Sequence, residues 1–488
     1  MPPPLRIHVQ SPGEFTFDAG IRDIQRLLDL PTSFPAEVEA AAAAAAKAPR
    51  LPALDRTDLE LVTIDPPGSM DLDQAMLLER REGGFRVYYA IADVAAFVAA
   101  GDPVDLEAHR RGVTLYGADS RIPLHPPVLS EGAASLLPGE MRPALLWTID
   151  LDSRGELGAV DVRRARVRSR SRFDYPAVQR SIDDGSAGPM WAVLHDIGEL
   201  RQQIERKRGG VSLALPAQEI GNSDGRWNLE YRISLPVELW NAQISLLTGI
   251  AAAQLMTRAK VGLLRTLPTP STAAISRLRL TARALGIPWP ESQGYPDFIR
   301  TLDPARPSHV AMMTAATTVL RGAGYAAFDG ALPEQPLHSA LATTYAHVTA
   351  PLRRLADRYT GEVCLAICAG QPVPAWALAA LPALPVEMRA ADRRAGQYQR
   401  AIIDLIEALL MAPRIGETFE GTITATEQAP DRPTPLRAQA HTGLVMLRDP
   451  AIEARIVAAE PLPLGATVRA RLVEADPARR LTSFELLG

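Results

Sequence analysis

The stretch TIDPPGSMDLDQA, residues 63–75, sets three aspartates, Asp65, Asp71 and Asp73, within nine residues around a Pro-Pro-Gly turn. Like charges repel, so a fold tolerates such a cluster best when a divalent cation neutralises it. Mg2+ takes hard oxygen ligands and is usually held by a few carboxylates together with substrate phosphates. LVTID reads as a strand ending at Asp65, and Pro66-Pro67-Gly68 turns the chain sharply. Asp71 and Asp73 are two residues apart, so in an extended segment they face the same side. One compact loop can thus aim all three carboxylates at one ion, suited to a phosphodiester displacement. An EF-hand is excluded, because the central glycine and the terminal glutamate are missing. The competing reading is a solvated, turn-rich loop that is acidic without holding an ion.

Two cationic segments bear on the choice. RRARVRSRSRF (163–173) places Arg164, Arg166, Arg168, Arg170 and Arg172 at period two. On a strand they would form one basic stripe, matched to a phosphate backbone. A charged edge strand that resists aggregation is the alternative. TAPLRRLADRY (349–359) reads as a helix start, with Thr349 as cap, Pro351 in the first turn, and Arg353 and Arg354 following. Cations there oppose the helix dipole. They make sense where an anion faces both the helix end and the guanidinium groups. Asp357 can pair with either arginine along the helix, which leaves a structural ion pair as the second reading.

The elements that must position these residues fall into three units. In residues 1–55, IRDIQRLLDL (21–30) has helical periodicity, Pro31 stops it, and a second helix runs from about Pro35 to Lys47. This unit is a helix-turn-helix or a helical cap on the main domain. Residues 56–411 begin with strand signals (LELVTI, FRVYYAIADV, LLWTIDLD, ARVRSRSRF) and turn helical after about 190, which predicts one large α+β domain. In residues 412–488, ETFEGTITAT, TGLVMLRD and ATVRARLVEA alternate between Gly, Pro and Asp turns. They predict a small barrel of OB type.

Composition excludes several classes. The chain has 488 residues, enough for two to four domains, and is 47% hydrophobic. Its net charge of −4 does not fit a protein that coats nucleic acid with a wholly basic surface, so cations that meet a polyanion must be concentrated locally. Cys364 and Cys368, the only cysteines, are four apart in an apolar stretch and read as free thiols on one helix face. That usage points to a reducing cytoplasm. MPPPLRIHVQ lacks the pattern of a signal peptide. VELWNAQISLLTGIAAAQLM (237–256) carries Glu238, Asn241, Gln243 and Gln254, and reads as a buried helix rather than a membrane span.

In order along the chain, TIDPPGSMDLDQA, YAIADVAAFV, RRGVTLYGADSRIPLHPPVLSEGAASLLPGEMRPAL, RVRSRSRFDYPAVQ and HSALATTYAHVTAPLRRLADRYTGE together resemble the ribonuclease II / ribonuclease R family and its RNB catalytic domain. RRAGQYQRAIIDLIEALLM (393–411) is similar to the helix that closes that domain. The resemblance implies hydrolysis of single-stranded RNA from a free 3′ end to nucleoside 5′-monophosphates. It implies Mg2+ as cofactor, with Mn2+ as the alternative. Asp65, Asp71 and Asp73 match three of four active-site aspartates, and Gln74 stands where the fourth is usual. Gln74 can offer a metal an oxygen but no charge. Arg353 matches the arginine on the scissile phosphate, and Tyr116 an aromatic that stacks near the 3′ end. Tyr175 and Glu238 fall near other 3′-nucleotide contacts, while Arg168, Arg170 and Arg354 are expected on the RNA backbone. The family usually has two cold-shock barrels before the catalytic domain, whereas about 55 residues precede it here. The C-terminal unit fits the family's RNA-binding barrel but has few aromatics, Phe419 and Phe484 among them, for a stacking platform.

The expected function is therefore a monomeric 3′→5′ exoribonuclease with no membrane segment, able to enter a duplex from a 3′ overhang. A catalytically weak or inactive RNA-binding protein on the same fold, with Gln74 marking lost metal affinity, is the second reading. A regulator that binds DNA through its N-terminal helices is the third, weakened by the scarcity of cations there.

Overall fold

The computed structural model describes residues 17–118, 120–213, 215, 217–223, 226–426 and 441–487. Its centre is a closed five-stranded barrel of β1 (Leu61–Asp65), β2 (Gln74–Arg81), β3 (Gly84–Ala92), β4 (Met141–Asp152) and β5 (Leu157–Asp174). The β2–β3 hairpin needs a left-handed residue in its turn, and Gly83 supplies it at φ 79°. β3, β4 and β5 follow antiparallel, and β5 closes on β1 in parallel, bringing Asp65 opposite Asp174. Period-two alternation divides the barrel's side chains between two cores. Ala90, Ala144, Leu146, Ala165 and Val167 join one, which also takes in Val38 and Ala42. Val87, Tyr89, Leu145, Trp147 and Val162 join the other, continuous with the helices after residue 189.

This closure corrects the expected arginine stripe. The β1–β5 register skips Arg170, passing from Leu61 opposite Ser169 to Val62 opposite Ser171. Such a bulge flips every later side chain to the other face, so the five arginines do not share one. β5 is also no edge strand, since β4 and β1 flank it.

The N-terminal helices α1 (Phe17–Leu27) and α2 (Ala36–Lys47) lie on different parts of this body. Ile21 and Ile24 belong to one core, Val38 and Ala42 to the other. A helix-turn-helix needs its helices to share a core; here each caps the large unit instead. The segment MPPPLRIHVQ lies outside the described residues.

A helix spanning Pro236–Ala259 runs through the second core with Ile244, Leu247, Ala251 and Met256 all buried. Among the described residues no helix is long and apolar enough to cross a membrane. Cys364 is buried, Cys368 half-buried, and both are free. The helix Leu384–Met411 buries Leu405, Ile406 and Leu409 and leads into a second closed barrel of β6 (Thr418–Thr426), β7 (His441–Leu447), β8 (Ile452–Ala458), β9 (Thr467–Asp476) and β10 (Leu481–Leu486), in the order β6-β7-β8-β10-β9. Phe419 and Phe484 meet edge to face at 5.8 Å inside this barrel, so they are core rather than a surface for bases. Buried Glu407 ties the units together, accepting from Gln218 Nε2 at 2.7 Å and from the Glu453 backbone N–H at 2.8 Å.

Gly249, mid-way along Pro236–Ala259, lets the chain before residue 349 come close. Ala346 N–H donates to the Gly249 carbonyl at 3.1 Å, and a Cβ at Gly249 would run into the Tyr345 ring and the Ala346 carbonyl. Gly249→Ala is expected to destabilise the fold by about 1–3 kcal/mol, despite alanine's better helix propensity. A thermal melt checks this, and an unchanged or raised Tm would contradict the packing described.

Candidate active site

The acidic loop starts where β1 ends. Asp65 is buried at that end, the Ser69 N–H closes the turn on the Pro66 carbonyl at 3.2 Å, and Gly68 takes φ 81°. Asp73 stands just before β2 and is 1% exposed. Its carbonyl accepts from Ala92 N–H at 2.9 Å, and its Oδ1 accepts from Leu352 N–H at 2.7 Å. The acidic loop is thereby bonded to the segment 349–354, 279 residues away. Gln74 adds a second tie, its Nε2 donating to the Thr349 carbonyl.

The Oδ2 atoms of Asp65 and Asp73 are both buried without a hydrogen-bond partner. Burial pushes both carboxyls up to about 7, against the opposing pull of Arg353; for Asp65 the neighbouring Asp71 raises it further. Asp71 differs. Its Oδ1 accepts from Arg121 Nη1 at 2.8 Å, and the Tyr116 hydroxyl donates to its Oδ2 at 3.4 Å. Arg121 is braced in turn by Glu131 at 3.0 Å. The expectation that one loop aims three carboxylates at one point is corrected accordingly. Among the described residues no three metal-ligating side chains converge, because Asp71 turns to the nearest fixed cation. Two buried carboxylates with orphan oxygens do fit a hard divalent ion, which often takes only one or two protein carboxylates. Arg121 and Glu131 escaped sequence reasoning, since a pair ten residues apart across irregular chain leaves no periodic signal.

The segment 349–354 departs from the expected helix start. The helix begins at Leu355, with Arg354 extended at φ −135° and ψ 122° before it. The backbone here bonds sideways instead: Thr114 N–H donates to the Arg353 carbonyl at 3.0 Å and Leu355 N–H to the Gly112 carbonyl at 2.9 Å. Both arginines therefore precede the helix, and Thr349 caps nothing. Arg354 gives Nε and Nη2 to Asp357, at 2.9 and 2.7 Å, and Asp357 also accepts from Ala350 N–H at 2.7 Å. That makes Arg354 a structural ion pair within its own loop. The Arg353 side chain remains 39% exposed, its Nε 3.5 Å from Asp73 Oδ2.

Tyr116 is 48% exposed beside Asp71, and Arg353 lies against its hydroxyl. Tyr175 follows directly on Asp174, the register partner of Asp65. Burial and then the Asp65 charge push its phenol up to about 12, and Asn241 Nδ2 donates to its oxygen at 2.9 Å. Glu238 accepts from Leu235 N–H at 3.0 Å and pairs with Arg232, so it caps its helix. Arg164 bridges Asp93 and Glu362, and Arg166 pairs with Asp55 at 3.1 Å. Arg168 keeps a buried Nε without a partner, and exposed Arg170 donates to the Thr57 carbonyl at 2.9 Å. The structure thus gathers Asp65, Asp71, Asp73, Arg353, Tyr116 and Tyr175, and leaves Arg168, Arg170 and Arg354 with local partners or none.

The family description "RNB domain" matches residues 54–366, and "RNase II-type exonuclease C-terminal S1 domain" matches residues 417–487. The chain belongs to the RNB-domain family. Ribonuclease R of Escherichia coli is 28% identical over 400 residues, covering 76% of this chain and 48% of the relative. The chain thus spans about half the length of that relative. A structure of Mycoplasma genitalium RNase R in complex with ribose-methylated single-stranded RNA superposes with a TM-score of 0.84 at 19% identity, covering 96% of this chain and 78% of that one. The structure of yeast Ssd1, a pseudonuclease, gives a TM-score of 0.69 at 16% identity, covering 95% and 57%. Metal dependence is general among the nucleases of this family.

The carboxyl environment has a measurable consequence. Asp73 binds its proton more tightly folded than unfolded, so without a cation it costs stability as pH rises from about 4 to about 7. Asp73→Asn keeps the acceptor for Leu352 N–H and removes the charge. In chelator at pH 8 this variant is expected to be more stable than wild type by up to about 4 kcal/mol, with a smaller difference at pH 5. Melts at the two pH values decide it; a variant no more stable at pH 8 would contradict the buried, uncompensated carboxylate.

Proposed function

We propose that this protein is a metal-dependent 3′→5′ exoribonuclease that hydrolyses single-stranded RNA from a free 3′ end to nucleoside 5′-monophosphates. The observation that carries the reading is the pair of buried, partnerless carboxylate oxygens on Asp65 and Asp73 beside a half-exposed Arg353. A structural role for such oxygens would have given them donors. The protein acts as a monomer in this reading, and its free cysteines suit a reducing cytoplasm. Residues 56–411 act as the catalytic unit, 412–488 as the RNA-holding barrel, and 1–55 as a cap.

In this reading Asp65 and Asp73 would hold Mg2+, with Mn2+ as the alternative, and Asp71, tied to Arg121, would stand beside them. When bound, the ion offsets negative charge that builds on the phosphate oxygens. Arg353 grips the reacting phosphate through its planar fork. Tyr116 offers a ring face to the terminal bases, a contact every base can make. Arg168 and Arg170 meet the RNA backbone, and Glu238 sets the helix end behind Tyr175. Duplexes are entered from a 3′ overhang, a reading supported by Mycoplasma genitalium RNase R having been captured with double-stranded RNA. A catalytically silent RNA-binding protein is the second reading, favoured by Gln74, whose amide is taken up by Thr349.

The test is 5′-labelled single-stranded RNA with Mg2+, resolved on a sequencing gel. Stepwise shortening from the 3′ end with release of nucleoside 5′-monophosphates is expected; intact RNA that is nevertheless bound would favour the silent reading. Asp73→Asn should abolish shortening while gel-shift affinity stays near wild type. Arg353→Lys keeps the charge and loses the fork, so kcat should fall by roughly 10²-fold or more with little change in KM. A wild-type kcat with a lowered Tm would instead mark Arg353 as structural.

A further inference from the structure

Tyr175 occupies a defined place. Asp174, opposite Asp65 across the β5–β1 closure, caps the helix Tyr175–Asp183 by accepting from Ala177 N–H at 2.8 Å. The phenol therefore issues from the residue next to the partner of a catalytic carboxylate. Phe173 on its other side is fixed edge to face against Trp191 at 5.3 Å. Charges on Asp65, Glu238 and Arg353 all act on the phenol.

Asn241 lies one helical turn after Glu238 and is buried. Its Nδ2 donates to the Tyr175 oxygen at 2.9 Å. A phenol has one proton to donate and lone pairs to accept with. The amide fills a lone pair, and among the described residues no acceptor takes the proton. We propose that Asn241 is a positioning residue that sets the polarity of Tyr175, so that the phenol O–H is left to donate to an oxygen of the terminal nucleotide beside Asp65. An acceptor at position 241 would reverse this, drawing the phenol proton inward and turning a lone pair towards a substrate that is itself rich in acceptors.

This rests on the exoribonuclease reading, and its test separates the two. Asn241→Asp replaces the donor with a carboxylate that captures the phenol proton. Its kcat/KM on single-stranded RNA should fall about 10- to 100-fold, as far as that of Tyr175→Phe, with the Tm held. The double variant should be no worse than either single one, because both remove the same hydrogen bond. Asn241→Leu, which frees the proton but loses the anchor, should lose less than Asn241→Asp, and nothing further in the Tyr175→Phe background. Losses that add, or an Asn241→Asp variant with wild-type kcat/KM, would overturn the positioning role alone. A wild-type protein that fails to shorten RNA would overturn the functional reading and this inference with it.

Discussion

The hydrogen bond from Leu352 N–H to Asp73 Oδ1, 2.7 Å long and fully buried, holds the site together. It joins two segments 279 residues apart, one from the barrel and one from the turn before a helix. Asp73 sits in irregular chain and Arg353 in a turn that does not continue into the helix, so their relative placement comes from such cross-links rather than from a shared element. The bond also explains why Asp73 can be so deeply buried with its second oxygen orphaned: one oxygen is anchored, so the other is held in place without a partner. A carboxylate so held costs free energy that only the surrounding fold can offset. Trp147, Tyr89 and Ile91, all buried in the adjoining core, are part of that support.

The arginines are sorted by the same logic. Where a guanidinium meets a carboxylate outside the acidic loop, the pair is structural: Arg354 with Asp357, Arg164 with Asp93 and Glu362, Arg358 with Asp105. Arg353 meets the orphan edge of Asp73 at 3.5 Å without a hydrogen bond and lies against the Tyr116 hydroxyl. It is thus held near the acidic pair by charge, without being locked into a structural ion pair as Arg354 is. Asp71 is the mirror case, a carboxylate satisfied by Arg121 and Tyr116 until something more strongly charged competes.

Much of this was legible in the chain because it is local. Strand β1 ends at Asp65 as the LVTID pattern requires, and the C-terminal barrel follows from alternation between turn residues; the closure of the first five strands into a barrel was not legible, and the helix at Leu384–Met411 was expected only over 393–411 and only by resemblance. What escaped depends on pairings distant in sequence. The helix after the arginines looked as if it began at Thr349, since Thr-Ala-Pro is a good start; backbone bonds between residues 353–355 and 112–114 pull that turn out of the helix. The arginine stripe had the right period but the wrong continuity, because a bulge at Arg170 is dictated by the parallel partner β1. Glu238, picked out by resemblance, makes local bonds to Leu235 and Arg232 that cap its helix.

The fold alone does not decide between a nuclease and a binder, since a pseudonuclease shares it. The deciding property is electrostatic and lies in what the protein leaves unsatisfied. A binder on this scaffold would gain stability by pairing or replacing buried carboxylates, because each uncompensated one is a standing cost. Here the Gln74 amide is tied to Thr349, whereas Asp65 and Asp73 each keep a buried oxygen without a partner. The adjacent residues Asp73 and Gln74 thus differ in what they leave unsatisfied. Gln74 is a tether with its hydrogen bond made. Asp73 is a tether through one oxygen and an unmet demand for positive charge through the other. Such a cost at Asp73 is coherent if the charge there has a use that the fold itself does not supply.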